Sequence, residues 1–187
     1  MKLSLSWIKD FVNIPEDMDL KQLAYDLTMS TVEVEDVEDL ARRFDNMVVG
    51  VIEKIEAHPN ADKLRVCKVD IGDGEIKDIV CGGINLKEGM RVAVSCPGAV
   101  VRWHGEGEPV VIKNSKLRGV ESYGMICASD EIGLGDLFPA EREAEILDLS
   151  AFDVPAGTPL ADALDMNDVL LEIDNKSMTN RPDLWGH

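Results

Sequence analysis

The chain has 187 residues, with 19 lysines and arginines against 36 aspartates and glutamates, and its formal net charge is −17 at pH 7. Apolar residues make up 45% of it, which argues against a disordered chain and allows one or two domains with real cores. No run of about 18 apolar residues is present, so we expect no membrane span. We expect no signal peptide either, because acidic and aromatic residues come early. An acidic chain is a poor general nucleic-acid binder, since phosphates are neutralised by local lysine and arginine.

The first 40 residues predict two helices and a strand. Ser6 is predicted to cap a short helix whose apolar stripe consists of Trp7, Ile8, Phe11 and Val12. Asp19 is predicted to cap a second helix in the sequence DLKQLAYDLTMS. The segment TVEVEDVEDL then alternates valine with acidic residues, which is typical of a half-exposed strand.

The middle of the chain consists of short apolar runs separated by glycine and proline. Two runs flank Gly72-Asp73-Gly74, the pattern of a β-hairpin. The apolar face changes between Val66 and Cys67, which predicts a bulge of the kind that bends a long strand around a small barrel. Ser129 is predicted to cap a short helix with acids in its first turn. About five strands without a long helix favour an OB-type barrel.

The second flank contains one clear strand, DVLLEID, and ends at RPDLWGH, where Pro182 and Asp183 are typical of the first turn of a helix. We therefore expect the chain to be a fragment. Residues 41–150 carry a net charge of −5 and the two flanks together −12. The predicted fold class is α+β, with a five-stranded OB-type β-barrel inserted into a small discontinuous α/β domain formed by the two flanks. The predicted boundaries are 1–41, 42–153 and 154–187.

The four cysteines, at positions 67, 81, 96 and 127, form no CxxC pair, and each lies in an apolar run. Zinc ligands usually come in close pairs, so we interpret these cysteines as small core residues of a reducing compartment. The three histidines are far apart, and no nucleophile elbow, phosphate-binding loop or zinc-protease motif is present. We predict neither a catalytic site nor a metal site.

Two segments are candidates for ligand binding. In His58-Pro59-Asn60-Ala61-Asp62-Lys63-Leu64, a proline-containing turn exposes polar side chains, and Lys63 and Arg65 would face a phosphate. The alternative is a plain polar turn.

The second segment, Lys113-Asn114-Ser115-Lys116-Leu117-Arg118-Gly119, has three cations and no acid. If it is a strand, Lys116 and Arg118 point the same way and form a patch that suits a nucleic-acid backbone. Aromatic residues for base stacking are scarce, with Trp103 and Tyr123 as the candidates, which predicts weak binding led by shape. A solvated strand is the alternative.

These segments resemble a known family. HPNADKLRVCKVDIG, IVCGGINLKEGMRVAVSCPGAVV and IKNSKLRGVESYGMICASDEIGLG look like the EMAP-II-like tRNA-binding OB domain, over most of residues 42–153. The flanks MKLSLSWIKDFV and EIDNKSMTNRPDLWGH resemble the start of the bacterial phenylalanyl-tRNA synthetase beta subunit.

The resemblance implies an accessory tRNA-binding and scaffolding region of a cytoplasmic ligase that charges tRNA(Phe) with phenylalanine. It implies an α2β2 tetramer with the alpha subunit as partner, and ATP and magnesium as cofactors of the full enzyme but not of this fragment. The alternatives are a free-standing tRNA-binding module and a purely structural assembly domain. The residues expected to contact RNA are His58, Asn60, Lys63, Arg65, Asn85, Lys113, Lys116, Arg118 and Ser122.

Overall fold

The computed structural model describes residues 1–15 and 17–174. The described chain divides into two compact units, one formed by Met1–Arg42 with the segment from Met166 onward, the other by Arg43–Asp165. The predicted helix at Pro182 and Asp183 lies outside the described residues. The strands are β1 Lys2–Ser4, β2 Glu33–Asp39, β3 Met47–Ala57, β4 Arg65–Asp70, β5 Ile76–Cys81, β6 Arg91–Ser95, β7 Val100–Val101, β8 Val110–Val111, β9 Ser115–Leu117, β10 Val120–Ser122, β11 Met125–Ile126 and β12 Val169–Asp174. The α-helices are α1 Leu5–Lys9, α2 Leu20–Ser30 and α3 Leu160–Ala163, and the 3₁₀ helices are Leu40–Phe44, Trp103–Gly105 and Asp130–Ile132.

The first unit is a three-stranded antiparallel sheet in the order β1-β12-β2, accompanied by α1 and α2. Its small buried core consists of Leu5, Leu171 and Ile173. The prediction that Asp19 caps the second helix is confirmed, since its carboxylate accepts hydrogen bonds from the first-turn backbone. The Ser6 prediction is wrong: the first helix begins directly after β1, so Ser4 is its N-cap and accepts from the Trp7 N–H at 3.0 Å.

The second unit contains the predicted five-stranded barrel. Its antiparallel strands are ordered β11-β6-β3-β4-β5, and β5 approaches the segment that leads into β11, so the sheet is nearly closed. The backbone N–H of Tyr123 donates to the Asp78 carbonyl at 2.9 Å. The N–H of Val80 donates to Ser122 Oγ at 3.0 Å. The prediction of an OB-type barrel with flanking α/β elements is confirmed.

The β4–β5 hairpin around Gly72 and Gly74 is confirmed, and both glycines have positive φ angles, of 78° and 85°. The bulge lies elsewhere than predicted. The β3–β4 register shifts between Ile52 and Lys54, so the extra residue is on β3. In β4 the consecutive residues Val66 and Cys67 are both buried, so this strand is covered on both faces. This explains why apolar residues switch from one face to the other in its sequence.

The barrel interior is filled mainly by aliphatic side chains and includes Cys67 and Cys81, whereas Cys127 is buried beside Ser95 on β6. Cys67, Cys81 and Cys127 are buried, as predicted, while Cys96 is partly exposed, and all four are free thiols. Gly50, in the middle of β3, leaves room for side chains of the two adjacent strands: a Cβ there would lie 2.6 Å from Val94 Cγ2 on β6 and 2.7 Å from Val69 Cγ1 on β4. A glycine at this position therefore allows the barrel to be narrow.

Candidate nucleic-acid interface

The short β9–β10 hairpin packs beside β5 and carries two exposed cations, Lys116 and Arg118. Leu117 pairs with Val120, and between them Arg118 and Gly119 have φ angles of 47° and 98°. Positive φ at both central residues matches the twist of a two-residue hairpin loop. Arg118 therefore lies in the turn, and the expectation that it shares a strand face with Lys116 is wrong.

A groove of about 920 Å³ lies beside this hairpin and is called the lysine groove here. It is lined by residues of β3, β4, β5, β9 and β10 and by Tyr123 after β10. The residues that line it are Glu53, Lys54, Lys68, Ile76, Lys77, Asp78, Asn114, Ser115, Lys116, Glu121, Ser122 and Tyr123. Four cations therefore converge on one depression, with three carboxylates among them.

Two lysines of the lysine groove are direct cross-strand neighbours. Lys54 on β3 pairs in register with Lys68 on β4, and like charges in this position repel. Each lysine has a carboxylate at 2.8 Å, Glu56 for Lys54 and Asp78 for Lys68. Hydrogen bonding to Asp78 raises the pKa of Lys68 above its usual value. The carboxylates thus stabilise a lysine pair that would otherwise be unfavourable, and they lower the net positive charge of the groove.

Among the four lysines of the lysine groove, Lys77 has the most carboxylate partners. Its ammonium lies 2.7 Å from Asp73 and 2.8 Å from Glu75, and hydrogen bonds to these two carboxylates raise its pKa. It also lies 5.1 Å from the centre of the Tyr123 ring, close enough for a cation–π contact. Lys77 therefore holds Tyr123, the aromatic side chain of the groove, in place.

Lys116 differs from these lysines. It is exposed on β9, opposite Glu121, and within residues 1–15 and 17–174 it forms no ion pair. The same is true of Lys63, Lys113 and Arg118 in that part of the chain. An unpaired ammonium is available to an incoming phosphate without first breaking a contact, so Lys116 is the strongest cation candidate in the groove.

The loop 58–64 is joined to the hairpin through two of the predicted residues. His58 is buried, its Nδ1 accepts from the Asn60 N–H at 3.1 Å, and its Nε2 lies 3.1 Å from the Leu117 carbonyl. The Asn60 side chain donates to the Arg118 carbonyl at 2.9 Å. The structure thus brings His58, Asn60 and Arg118 together, with His58 inside as a support for the loop and the hairpin.

Lys63 and Arg65 lie apart from the lysine groove. They line a separate depression of about 690 Å³ together with Gly82 and Gly83, which follow β5. The Arg65 guanidinium donates to the carbonyls of Asp62 and Leu64 at 2.9 and 3.0 Å, which fixes its position beside the loop. The predicted cations therefore do not form one patch: Lys63 and Arg65 line this depression and Lys116 the lysine groove, whereas Lys113 lines another groove, beside Trp103.

Asn85 and Ser122 make internal hydrogen bonds. The Asn85 amide both donates to and accepts from the backbone of Ile146 at 2.8 Å. Ser122 is buried, and besides accepting from Val80 it donates to the Gly124 carbonyl at 3.0 Å. Both side chains connect loops to the barrel wall.

The residues predicted from the sequence to contact RNA did not include Lys54, Lys68 or Lys77. Lys68 lies between Cys67 and Val69, an alternation typical of the outer face of a strand, whereas Lys54 and Lys77 each have an acidic residue on one side. That pattern by itself predicts only a solvated surface, because the register that places Lys54 beside Lys68 is a property of strand pairing.

The family model described as "Putative tRNA binding domain" matches residues 47–159, which span the barrel and its hairpin. The chain belongs to this tRNA-binding domain family.

The curated relatives are subunits of one enzyme. The phenylalanine–tRNA ligase beta subunit of Prochlorococcus marinus (strain NATL2A) is 41% identical over 184 residues, which is 98% of this chain and 21% of that subunit. The corresponding subunit of Cupriavidus pinatubonensis is 43% identical over 169 residues, 90% of this chain and 20% of that subunit. The chain therefore spans about a fifth of the length of these relatives. A solved MetRS-related protein from Pyrococcus horikoshii is 25% identical, covers 61% of this chain and 87% of its own length, and superimposes with a TM-score of 0.42.

In the described residues no group of three or more histidine, cysteine, aspartate or glutamate side chains is placed to hold a metal ion. Residues 1–15 and 17–174 also contain no helix with the length and apolar character needed to cross a bilayer.

Proposed function

We propose that this chain is the accessory tRNA-binding region of a phenylalanine–tRNA ligase beta subunit, and that the lysine groove and the hairpin turn contact the tRNA backbone. The complete enzyme is then a cytoplasmic α2β2 tetramer that joins phenylalanine to tRNA(Phe) with ATP and magnesium. In this proposal the region contributes binding and support, while the chemistry belongs to other parts of the enzyme.

The observation that carries the proposal is the match of the tRNA-binding family model to residues 47–159, the part of the chain that contains the lysine groove. A cationic groove with an aromatic side chain is the arrangement by which OB folds bind nucleic acid. In this proposal Lys116 and Arg118 contact phosphates and Tyr123 offers a ring for stacking. His58, Asn85 and Ser122 position the loops rather than touch RNA.

The ion pairs of the groove predict that this binding is weak. Lys54, Lys68 and Lys77 each have carboxylate partners within 3 Å, and a phosphate has to compete with them. The lysines most available to RNA are therefore few, and shape is expected to matter more than charge.

These ion pairs also favour a second candidate function, in which the barrel braces the complete enzyme without touching tRNA. A surface whose cations are already neutralised is suited to protein contacts as well as to RNA. In that case substitution of the cations impairs assembly with the alpha subunit and leaves tRNA recognition unchanged.

The proposal is tested by titrating a labelled tRNA(Phe) transcript with the chain over a series of KCl concentrations. If about three phosphates are neutralised, log K falls against log salt with a slope of about −2 to −3. The double variant Lys116→Glu with Arg118→Glu is expected to weaken tRNA binding at least about tenfold at low salt. Each substitution replaces a positive side chain that attracts a phosphate with a negative one that repels it.

The matched control is Lys21→Glu with Lys87→Glu, which changes the net charge equally at two exposed lysines outside the groove. If both double variants weakened tRNA binding equally, the net charge of the chain would explain the effect, and the proposed interface would be overturned. In the complete ligase, an unchanged KM for tRNA with impaired tetramer formation would instead support bracing.

A further inference from the structure

A second groove, of about 830 Å³, adjoins the β9–β10 hairpin and is called the apolar groove here. Ser115 borders both grooves, whereas Lys116 borders only the lysine groove and Leu117 only the apolar groove. The apolar groove is lined by side chains from the barrel wall and from the segments before and after the hairpin, among them Val80, Trp103, Val111, Leu117 and Met125.

Three large apolar side chains of this groove are unusually exposed. Trp103 is 52% exposed, Val111 51% and Leu117 42%. Single exposed apolar residues are ordinary, but several lining one concave surface mark an interaction site. Tryptophan in particular dominates the binding energy where it enters an interface.

A carboxylate lies within the same groove. Glu131 is partly buried, and its Oε2 accepts from the Ala128 N–H at 2.8 Å. Burial raises the pKa of this carboxyl group, because an ionised carboxylate loses hydration where it is partly buried. Its Oε1 accepts no hydrogen bond within the described part of the chain, so one oxygen remains for a ligand.

The rim of the groove is acidic. Glu141, Glu143 and Glu145 border it, as does Arg142, but the Arg142 guanidinium lies 2.8 Å from Glu145 and is already paired. Lys113 and His104 are the other basic residues that line it. An excess of carboxylates repels phosphates and attracts cations, which disfavours RNA and favours a basic ligand.

We propose that the apolar groove binds a polypeptide segment of a partner protein in which large aliphatic side chains alternate with lysine or arginine. The aliphatic side chains and the stem of one cation pack against Trp103 and Leu117, and the cationic head reaches Glu131. Long basic side chains combine an apolar stem with a charged end, so they complement a groove with apolar walls and a carboxylate. This inference does not depend on tRNA binding.

The experiment is fluorescence anisotropy of the full chain with three labelled decapeptides. The first, GLKSLKGLKG, has both features; GLESLEGLEG reverses the charge; GSKSSKGSKG keeps the lysines without leucine. The first is expected to bind at least about tenfold more tightly than either control, because the second peptide loses the charge-assisted contact and the third loses the burial of leucine side chains.

Two variants locate the binding. Glu131→Gln keeps an oxygen that can accept from Ala128 and is expected to weaken binding of the first peptide about tenfold. Trp103→Ser removes an exposed side chain and is expected to weaken binding by a similar factor. The control Glu35→Gln removes an equal charge from an exposed site in the first unit and is expected to change binding less than about twofold.

The proposal is overturned if the first and third peptides bind equally, since the lysines alone would then explain binding. The same holds if Glu131→Gln and Glu35→Gln have equal effects, since the net charge of the chain would then explain the data. It is also overturned if a 12-nucleotide RNA displaces the peptide. Retained peptide binding by the Lys116→Glu, Arg118→Glu variant together with lost tRNA binding would separate the two grooves.

Discussion

The ring of His58 donates from Nε2 to the carbonyl of Leu117 at 3.1 Å, across 59 residues of chain. The tautomer follows from the other ring nitrogen, because Nδ1 accepts from the Asn60 N–H. Since Leu117 lies in the hairpin that borders both grooves, this hydrogen bond fixes the loop 58–64 against the two candidate surfaces at once.

Substitution of His58 by alanine is expected to destabilise the second unit by about 1–3 kcal/mol, because the buried His58 ring is lost and the Leu117 carbonyl and the Asn60 N–H both lose their partner. Urea denaturation followed by circular dichroism measures this change. Asn60→Ala serves as the control. It removes an exposed hydrogen bond to the Arg118 carbonyl and is expected to cost about 0.5–1 kcal/mol. Equal costs for the two variants would show that His58 has no special supporting role.

Gly50→Ala is expected to destabilise the barrel by about 1–3 kcal/mol through overpacking. The added Cβ would lie 2.6 Å from Val94 Cγ2 and 2.7 Å from Val69 Cγ1, in a fully buried layer. At Gly82 the corresponding Cβ meets only Leu64 Cδ2, at 3.4 Å, so Gly82→Ala is a matched control with little expected change. Thermal unfolding of both variants tests the difference, and a stable Gly50→Ala protein would contradict this packing.

The cysteines are expected to differ sharply in reactivity. Burial raises the pKa of Cys67 and of Cys127 to about 12 and that of Cys81 to about 11. These thiols are therefore neutral at pH 8 and shielded, and the thiolate is the form that reacts. Cys96 is partly exposed and is expected to be alkylated first by iodoacetamide, as read by peptide mass spectrometry. Modification of Cys67 or Cys81 in the native protein before Cys96 would argue against this barrel interior.

Glu131 is expected to make stability depend on pH in an unusual direction. Burial raises its pKa in the folded protein, so the folded state binds the proton more tightly than the unfolded state. Between the unfolded pKa, about 4.5, and the raised folded value, the contribution of Glu131 to stability falls as pH rises. The free energy of unfolding of Glu131→Gln, measured relative to the parent protein, is therefore expected to be higher at pH 7 than at pH 4. Denaturant titrations at the two pH values measure this gain, and an equal difference at both would refute it.

Local patterns in the sequence were sufficient for much of the architecture. The cap at Asp19, the alternating strand β2 and the hairpin at Gly72 and Gly74 depend on residues close together in the chain, so propensity and turn chemistry determine them. The motifs of residues 58–64 and 113–119 likewise pointed to the hairpin side of the barrel. The helix cap is Ser4 rather than Ser6 because β1 ends at Ser4 and the helix begins directly after it. The end of that strand is set by pairing with β12, which local helix signals do not reveal.

Other features required the pairing of distant segments. Lys54 and Lys68 form one surface only because the bulge on β3 sets their register. The sequence predicted an exposed His58, but the structure buries it because the β9–β10 hairpin covers it. The sequence also predicted Arg118 on a strand face, but Arg118 lies in the turn, where it and Gly119 have positive φ angles. The sequence alone thus determined which local elements form and which family the chain resembles. The tertiary structure decided which cations share a groove and which side chains support it, because contacts between distant residues depend on register and packing.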